Sequence, residues 1–277
     1  MGISVQIIAV YGGSMRWTLL MFGLVFFVLT MIFKAPYSHA QTEFTIGVED
    51  TKTFPIYEVR DDEYVGVARE ILDLFAQNYG YQFTYTPLPI KRLFYDFLGG
   101  RLDFKFPDNK FWKFGDKKAS GKKIIYNQEG VIFVHDVMLT RKSNLSKDMS
   151  YLKKMAIVRG VTPTRYNALI KKGQLELVEY SSVHAIIVSA MTGRVDGAHT
   201  WSEIAHYYLA KIKKEKWFNK EANQVEMVSD TRFFDKHEGV FYLSTIKHPE
   251  VIKNFDDFRV KYQSQIIAIK NKYHLKK

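Results

Sequence analysis

Residues 44–50 read FTIGVED, residues 65–80 VGVAREILDLFAQNYG, residues 81–86 YQFTYT, residues 89–100 PIKRLFYDFLGG and residues 101–106 RLDFKF. In the first segment Phe44, Ile46 and Val48 alternate with Thr45 and Gly47, the period of a strand. Val67, Ile71, Leu74, Phe75 and Tyr79 then fall three and four residues apart, which predicts a helix stopped by Gly80. Tyr81, Phe83 and Tyr85 alternate again. Pro87 and Pro89 end that strand, and Pro89 leads into a helix with Leu93, Phe94, Phe97 and Leu98 on its apolar face. Gly99-Gly100 terminates it, and Leu102 to Phe106 predicts a third strand. Strands separated by helices imply parallel pairing through right-handed crossovers, an α/β fold.

The flanking sequence extends this grammar. Glu49 to Tyr64 reads as a polar loop carrying Pro55, and Phe111 to Lys123 as basic, aromatic and irregular. Ile124 to Val134 is extended and apolar. A second unit spans Met155 to Leu209. Its elements are a strand at Met155 to Val158, a turn from Arg159 to Thr164 and a helix ending at Lys171-Lys172-Gly173. A strand at Leu175 to Glu179 follows, then a helix capped by Ser181 or Ser182 and closed by Gly193. Val195 to His199 predicts another strand, Ser202 to Lys214 a helix, Val240 to Ser244 a late strand and Pro249 to Tyr273 a bent helical tail. Two such units beside one cleft suit the capture of a small molecule.

Composition bounds the function. The chain has 277 residues, enough for one or two domains with substantial cores, and its 47% hydrophobic content argues against wholesale disorder. It contains no cysteine, which excludes disulfides and thiolate chemistry. Residues 1–40 carry no acid and two strong bases, Arg16 and Lys34, around the apolar run Trp17 to Phe33. With the small-x-small site Ser38-His39-Ala40, this predicts a secretory signal peptide cleaved near Ala40, an uncleaved anchor being the alternative. The remainder keeps 38 bases against 29 acids. Its lysine clusters lack the interleaved aromatics or glycines of a nucleic-acid motif, so they read as solvated surface.

Ligands of open α/β sheets gather at the carboxyl ends of strands, beside helix N-termini. Glu49 and Asp50 follow the first strand, and Asp108 and Asn109 the third. Arg92 lies in the first turn of a helix, either as a grip for a carboxylate or as a surface arginine. Arg159, Thr162 and Thr164 surround a helix start, where they suit an anion or serve as ordinary caps. Trp201 and Ser202 follow the last strand of the second unit, and Trp201 suits stacking on a flat or apolar ligand part. Phe54, Tyr57 and Trp112 are further aromatic candidates. The eight histidines show no H-x-x-x-H or H-E-x-x-H spacing, and there is no G-x-S-x-G elbow or P-loop. No metal, cofactor or catalytic residue is therefore expected.

Four phrases carry a resemblance. Phe44 to Glu49, Tyr64-Val-Gly-Val-Ala-Arg-Glu-Ile-Leu72, Phe97-Leu-Gly-Gly-Arg-Leu-Asp103 and Met191-Thr-Gly-Arg-Val-Asp-Gly-Ala198 together resemble the extracellular solute-binding proteins of family 3, the periplasmic components of amino-acid importers. The resemblance implies a two-lobed type II periplasmic-binding-protein fold with two crossovers. Lobe 1 would comprise 41–127 and 241–277, and lobe 2 would comprise 128–240. It implies a hinge closing on a small ligand, a membrane permease as partner, a monomer and no enzymatic activity.

Two departures from the family stand out. Pro107-Asp-Asn-Lys-Phe-Trp-Lys-Phe-Gly115 lacks the arginine that family members carry there, and Trp201 stands where they carry an aspartate. Pro89-Ile-Lys-Arg92 resembles a Pro-x-x-Arg phrase of a divergent branch, which would move the anion grip to Arg92. The expected function is periplasmic capture of a polar, anionic or zwitterionic amino-acid-like metabolite for an ABC-type importer. A subunit that presents its ligand to a separate receptor is the alternative, and a periplasmic enzyme on the same fold a more distant one.

Overall fold

A computed structural model describes residues 41–218, 225–233 and 238–275. The expected signal peptide and its cleavage site near Ala40 lie outside the described residues. The chain runs β1 (Thr42–Glu49), β2 (Glu58–Arg60), β3 (Glu63–Val65), α1 (Val67–Tyr79), β4 (Tyr81–Leu88), α2 (Ile90–Leu98), β5 (Phe104–Asp108), α3 (Phe114–Ala119) and β6 (Ile125–Tyr126). It continues with β7 (Ile132–Arg141), β8 (Lys154–Val158), α4 (Asn167–Lys171), β9 (Glu176–Tyr180), α5 (Val183–Met191), β10 (Gly197–Trp201) and α6 (Ser202–Ile212). β11 (Met227–Ser229), β12 (Glu238–Thr245), α7 (Pro249–Lys261) and α8 (Gln263–Lys272) complete it.

The strands lie in the order β4-β1-β5-β12-β7-β10-β8-β9. β1 is parallel to β4 and β5, as the crossover helices require, and β8 is parallel to β9 and β10. β12 joins the two parts. Its residues 238–241 pair with β7, whereas Tyr242, Ser244 and Thr245 pair with β5. Beside it, residues 127–131 carry the chain the other way. Val131 N–H donates to Phe241 O at 2.8 Å, and Leu243 N–H to the Asn127 side-chain oxygen at 2.8 Å. These two crossing segments press together at Gly130. A Cβ there would come within 1.9 Å of Val240 Cγ1, so only glycine fits without displacement.

Apolar periodicity sets the core. The buried face of α1 includes Ile71, Leu72 and Phe75, the last with no exposed surface. Phe75 touches Phe255 and Phe258 of α7 at ring separations of 4.9 and 5.2 Å. The C-terminal helices thus return to the half of the sheet where the chain began. In the other half Ser182 caps α5, accepting a hydrogen bond from Ala185 N–H at 3.2 Å.

Several elements differ from the sequence reading. The loop at 49–64 contains the β2–β3 hairpin, whose turn residues Asp61 and Asp62 have φ of 51° and 62°. Its three-residue strands are too short to show alternation. The third strand is Phe104–Asp108, because Leu102 turns under α2 to pack with Leu93 and Phe97. Past Thr162 the helix breaks into a 3₁₀ turn, Thr164–Tyr166, and the five-residue α4. β10 runs to Trp201, which makes that residue the end of a strand.

Asp103, from the L-x-x-G-x-x-D-like phrase, ties three segments together. It accepts hydrogen bonds from Thr45 N–H and Thr45 Oγ1, both at 2.9 Å, and from Lys247 Nζ at 3.0 Å. Burial raises its pKa, but these donors and His248 outweigh that and hold it at about 2. A carboxyl depressed on folding stabilises above the ordinary carboxylate range and loses that contribution as pH falls through its folded value. Allowing for partial solvent screening, Asp103→Asn is expected to lower stability by roughly 1–2 kcal/mol at neutral pH. Denaturant titrations should show the gap to wild type closing as pH falls from about 4 to 2.

Candidate functional site

A cleft of about 600 Å³ lies where the two parts of the sheet meet. β1, α2 and the loop after β5 supply one wall, with Glu49, Ile90, Phe94, Asn109, Lys110 and Trp112. The 160–166 turn and β10 supply most of the other, with Thr162, Thr164, Arg165, Tyr166, His199 and Trp201. Gly239, Val240 and Tyr242 of β12 line it between them. The walls approach each other closely at Gly160. A Cβ on Gly160, whose φ is +88°, would meet Ile90 Cβ at 3.0 Å, so that turn packs tightly against α2 and its backbone favours glycine. A second contact lies beyond the cleft, where Tyr208 Oη of α6 donates to Lys52 O at 3.0 Å and Phe54 meets Tyr207 at 4.9 Å.

Six of the sequence candidates come together here: Glu49, Asn109, Trp112, Thr162, Thr164 and Trp201. Glu49 is 4% exposed, accepts from Tyr57 Oη at 2.7 Å and borders both the cleft and a side chamber of about 30 Å³. Burial pushes its carboxyl above the ordinary range, against the pull of Lys105 and the Tyr57 hydrogen bond. Asn109 spends its side-chain amide on the crossing strand, Nδ2 donating to Val240 O at 2.9 Å.

The other candidates lie elsewhere. Arg92 points along its own helix to Asp96 at 2.6 Å, its side chain 59% exposed. Asp50 and Arg159 are exposed and use their backbone N–H groups on Leu88 O and Tyr180 O. Phe54 packs against Tyr207 and Tyr273, with Arg60 over its ring at 5.3 Å. Ser202 begins α6, outside the lining.

Asp108 has no exposed surface and sits behind the cleft wall. It accepts from Lys117 Nζ at 2.7 Å, Ser244 Oγ at 2.7 Å and Asn109 N–H at 2.8 Å, and Lys105 Nζ is 3.5 Å away. Lys105 is itself fully buried, donates to Pro107 O and lies 4.2 Å from the Phe94 ring centre. Burial pulls the Lys117 ammonium below its usual range, against Asp108. These charges have partners and hydrogen bonds, as buried charges must.

Several lining residues escaped the sequence reading. Lys110 reaches over the Tyr242 and Tyr126 rings at 5.4 and 5.9 Å. Asp136, on β7, has Arg165 Nε at 3.8 Å and His199 Nε2 at 3.6 Å. Arg165 stands one residue beyond Thr164, a candidate, and the end-of-strand rule applied one position more loosely would have reached it. Asp136 lies mid-strand and gave no local signal. Among the described residues no group of three or more histidine or acidic side chains is placed to hold a metal ion.

No protein-family model and no curated protein sequence matches the chain. Solved structures do. An ancestral arginine-binding protein bound to arginine superposes with a TM-score of 0.63 at 15% identity, over 85% of this chain and 100% of that one. An arginine third transport system periplasmic binding protein from Legionella pneumophila gives 0.62 at 12% identity, over 84% and 100%. The ancestral amino-acid-binding protein AncCDT-1, a precursor of cyclohexadienyl dehydratase, gives 0.60 at 15% identity, over 83% and 95%. The fold is the two-lobed type II periplasmic-binding-protein fold, with two crossovers between lobes.

The raised Glu49 carboxyl makes a test. A carboxyl whose pKa rises on folding stabilises below the ordinary carboxylate range and loses that contribution as pH rises through its folded value. Glu49→Gln is therefore expected to melt above wild type at alkaline pH, with the gain shrinking as the pH is lowered into the ordinary carboxylate range. Thermal unfolding across that range checks it. A variant that melts lower throughout, with no pH trend, would show that the ionised carboxylate is needed beside Lys105.

Proposed function

We propose that this is a periplasmic solute-binding protein that captures a small anionic or zwitterionic, amino-acid-like metabolite and delivers it to an ABC-type importer. In this reading lobe 1 is 41–127 with 241–277, and lobe 2 is 128–240. The lobes close about the crossing segments near Gly130 and Gly239, and the protein works as a monomer. The observation that carries the proposal is a cleft walled by both parts of the sheet that holds a buried carboxyl on one side and a guanidinium on the other. Such a pair is matched to the opposite ends of a zwitterion. The solved structures with this fold, which include amino-acid-binding and periplasmic transport proteins, support it.

Arg165, with the hydroxyls of Thr162 and Thr164, takes the anionic end. Its planar fork suits a carboxylate, and those three residues share one short turn. Glu49 faces the basic end, and Trp201 the body. This assigns the anion grip to Arg165 in place of Arg92, whose guanidinium is held on Asp96 outside the cleft. The reading is of a binder. The carboxyl, imidazole and hydroxyl groups of the cleft serve recognition in it, and none is assigned a catalytic step.

Thermal-shift screening against amino acids, organic acids and short peptides, followed by calorimetry, tests the proposal. At least one small zwitterion or anion is expected to stabilise the protein. Arg165→Ala should weaken that ligand by about tenfold to a hundredfold, the loss of one charge-assisted contact, while Arg92→Ala should leave it within about threefold. The reverse order would return the grip to Arg92. Stabilisation by none of these compounds would overturn the binding role.

A further inference from the structure

The middle of the cleft is aromatic. Trp112, from the loop after β5, and Trp201, from the end of β10, rest against the same ring. Their centroids lie 5.5 and 5.0 Å from that of Phe241, both edge to face. Phe241 has no exposed surface and sits on β12 at the point where that strand changes partner from β7 to β5. Each side of the cleft therefore leans one indole on the central strand, and both indoles are only partly buried and border the cavity. Phe94 and Tyr242 extend the aromatic lining, and Phe111, 68% exposed, adds a further ring.

Glu49 and Arg165 have local partners beside this band, while Lys110 lies over its Tyr242 and the buried Lys105 approaches Phe94 and Trp112. Glu49 is fixed by Tyr57, Arg165 lies beside Asp136, and Lys110 sits over Tyr242 and Tyr126. The side chamber beyond Glu49, at about 30 Å³, has room for little more than one water-sized group, so any bulky part of a ligand stays in the main cleft. A ligand of polar groups alone would engage Glu49 and Arg165 and leave the two indoles unused. A flat ring would use them, because offset or edge-to-face contacts between aromatic rings add attraction beyond the area they bury.

We propose that the metabolite held here is an aromatic amino-acid-like compound, its planar ring packed against Trp112 and Trp201 and its charged end turned toward Glu49 and Arg165. This rests on the reading of the cleft as a ligand site and goes beyond it by naming the ligand class. Saturating the ring while keeping its bulk and charges isolates the ring's own contribution.

Calorimetric titration of the purified protein with L-phenylalanine, β-cyclohexyl-L-alanine, L-arginine and L-glutamine tests it. L-Phenylalanine is expected to bind about tenfold or more tighter than its saturated counterpart, and tighter than L-arginine or L-glutamine. Trp112→Leu and Trp201→Leu should each weaken L-phenylalanine by about tenfold, while Trp201→Phe, which keeps a ring and guards against simple misfolding, should stay within about threefold. Tighter binding of L-arginine or L-glutamine, or equal binding of the saturated analogue, would overturn the aromatic assignment and leave the binding function standing. So would leucine variants that bind L-phenylalanine as wild type does. Absence of binding by all four compounds would overturn the aromatic assignment, and the broader screen above then decides the binding function separately.

Discussion

The molecule is organised by one shared strand. β12 gives its first residues to β7 and its later ones to β5, so the two parts of the sheet are joined by backbone hydrogen bonds at its centre. The packing around it is tight. Gly130 fits against Val240 only because it lacks a side chain, Phe241 is enclosed, and Asn109 binds the Val240 carbonyl. The cleft is the space that this join leaves between two walls carried on otherwise separate crossovers. Its rims meet where Gly160 approaches Ile90 and where the 52–54 loop reaches α6. Asn109, Val240 and Tyr242, and the indoles that rest on Phe241, take their places in the cleft from that strand.

Behind one wall lies a set of charges that a small core would ordinarily avoid. Lys105, Asp108 and Lys117 are enclosed, and desolvating them is expensive unless each finds partners. Asp108 turns Oδ1 to both lysines, its Oδ2 accepts from Ser244 Oγ, and the Asn109 backbone N–H completes its shell. The arrangement fixes where residues 108 and 109 sit, and hence where Lys110 and Trp112 enter the cleft. Asp108 therefore shapes the wall from behind while Asn109 borders the cavity, although the two are adjacent in the chain.

Much of this was legible in the residues. Alternation at Phe44, Ile46 and Val48 and the helical spacing through Phe75 correspond to β1 and α1, because burial on one face is written directly into sequence. The rule that ligands gather at strand ends reached Glu49, Asn109, Thr162, Thr164 and Trp201. It led outside the cleft lining where direction mattered. Arg92 stands at the start of α2 as expected, but a helical side chain can turn back to a carboxylate one turn away, and Asp96 is there. Phe54 lies after β1 yet faces α6, since its loop folds away from the cleft. Asp136 acquires its place only from the pairing of β7 with β10, which local pattern does not encode, whereas Lys110 stands one residue beyond the candidate Asn109.

The return of α7 to the beginning of the sheet bears on how the chain matures. Phe75 is closed over by Phe255 and Phe258, and β5 gains its outer neighbour only when β12 arrives. At ordinary ribosomal speeds, on the order of ten seconds or more separates the synthesis of these partners. During that interval the leading half has strands and a helix but no lid on its apolar surface, so it has no route to a finished core. The chain is in effect locked from its far end, by the rings of α7 and the late strand β12.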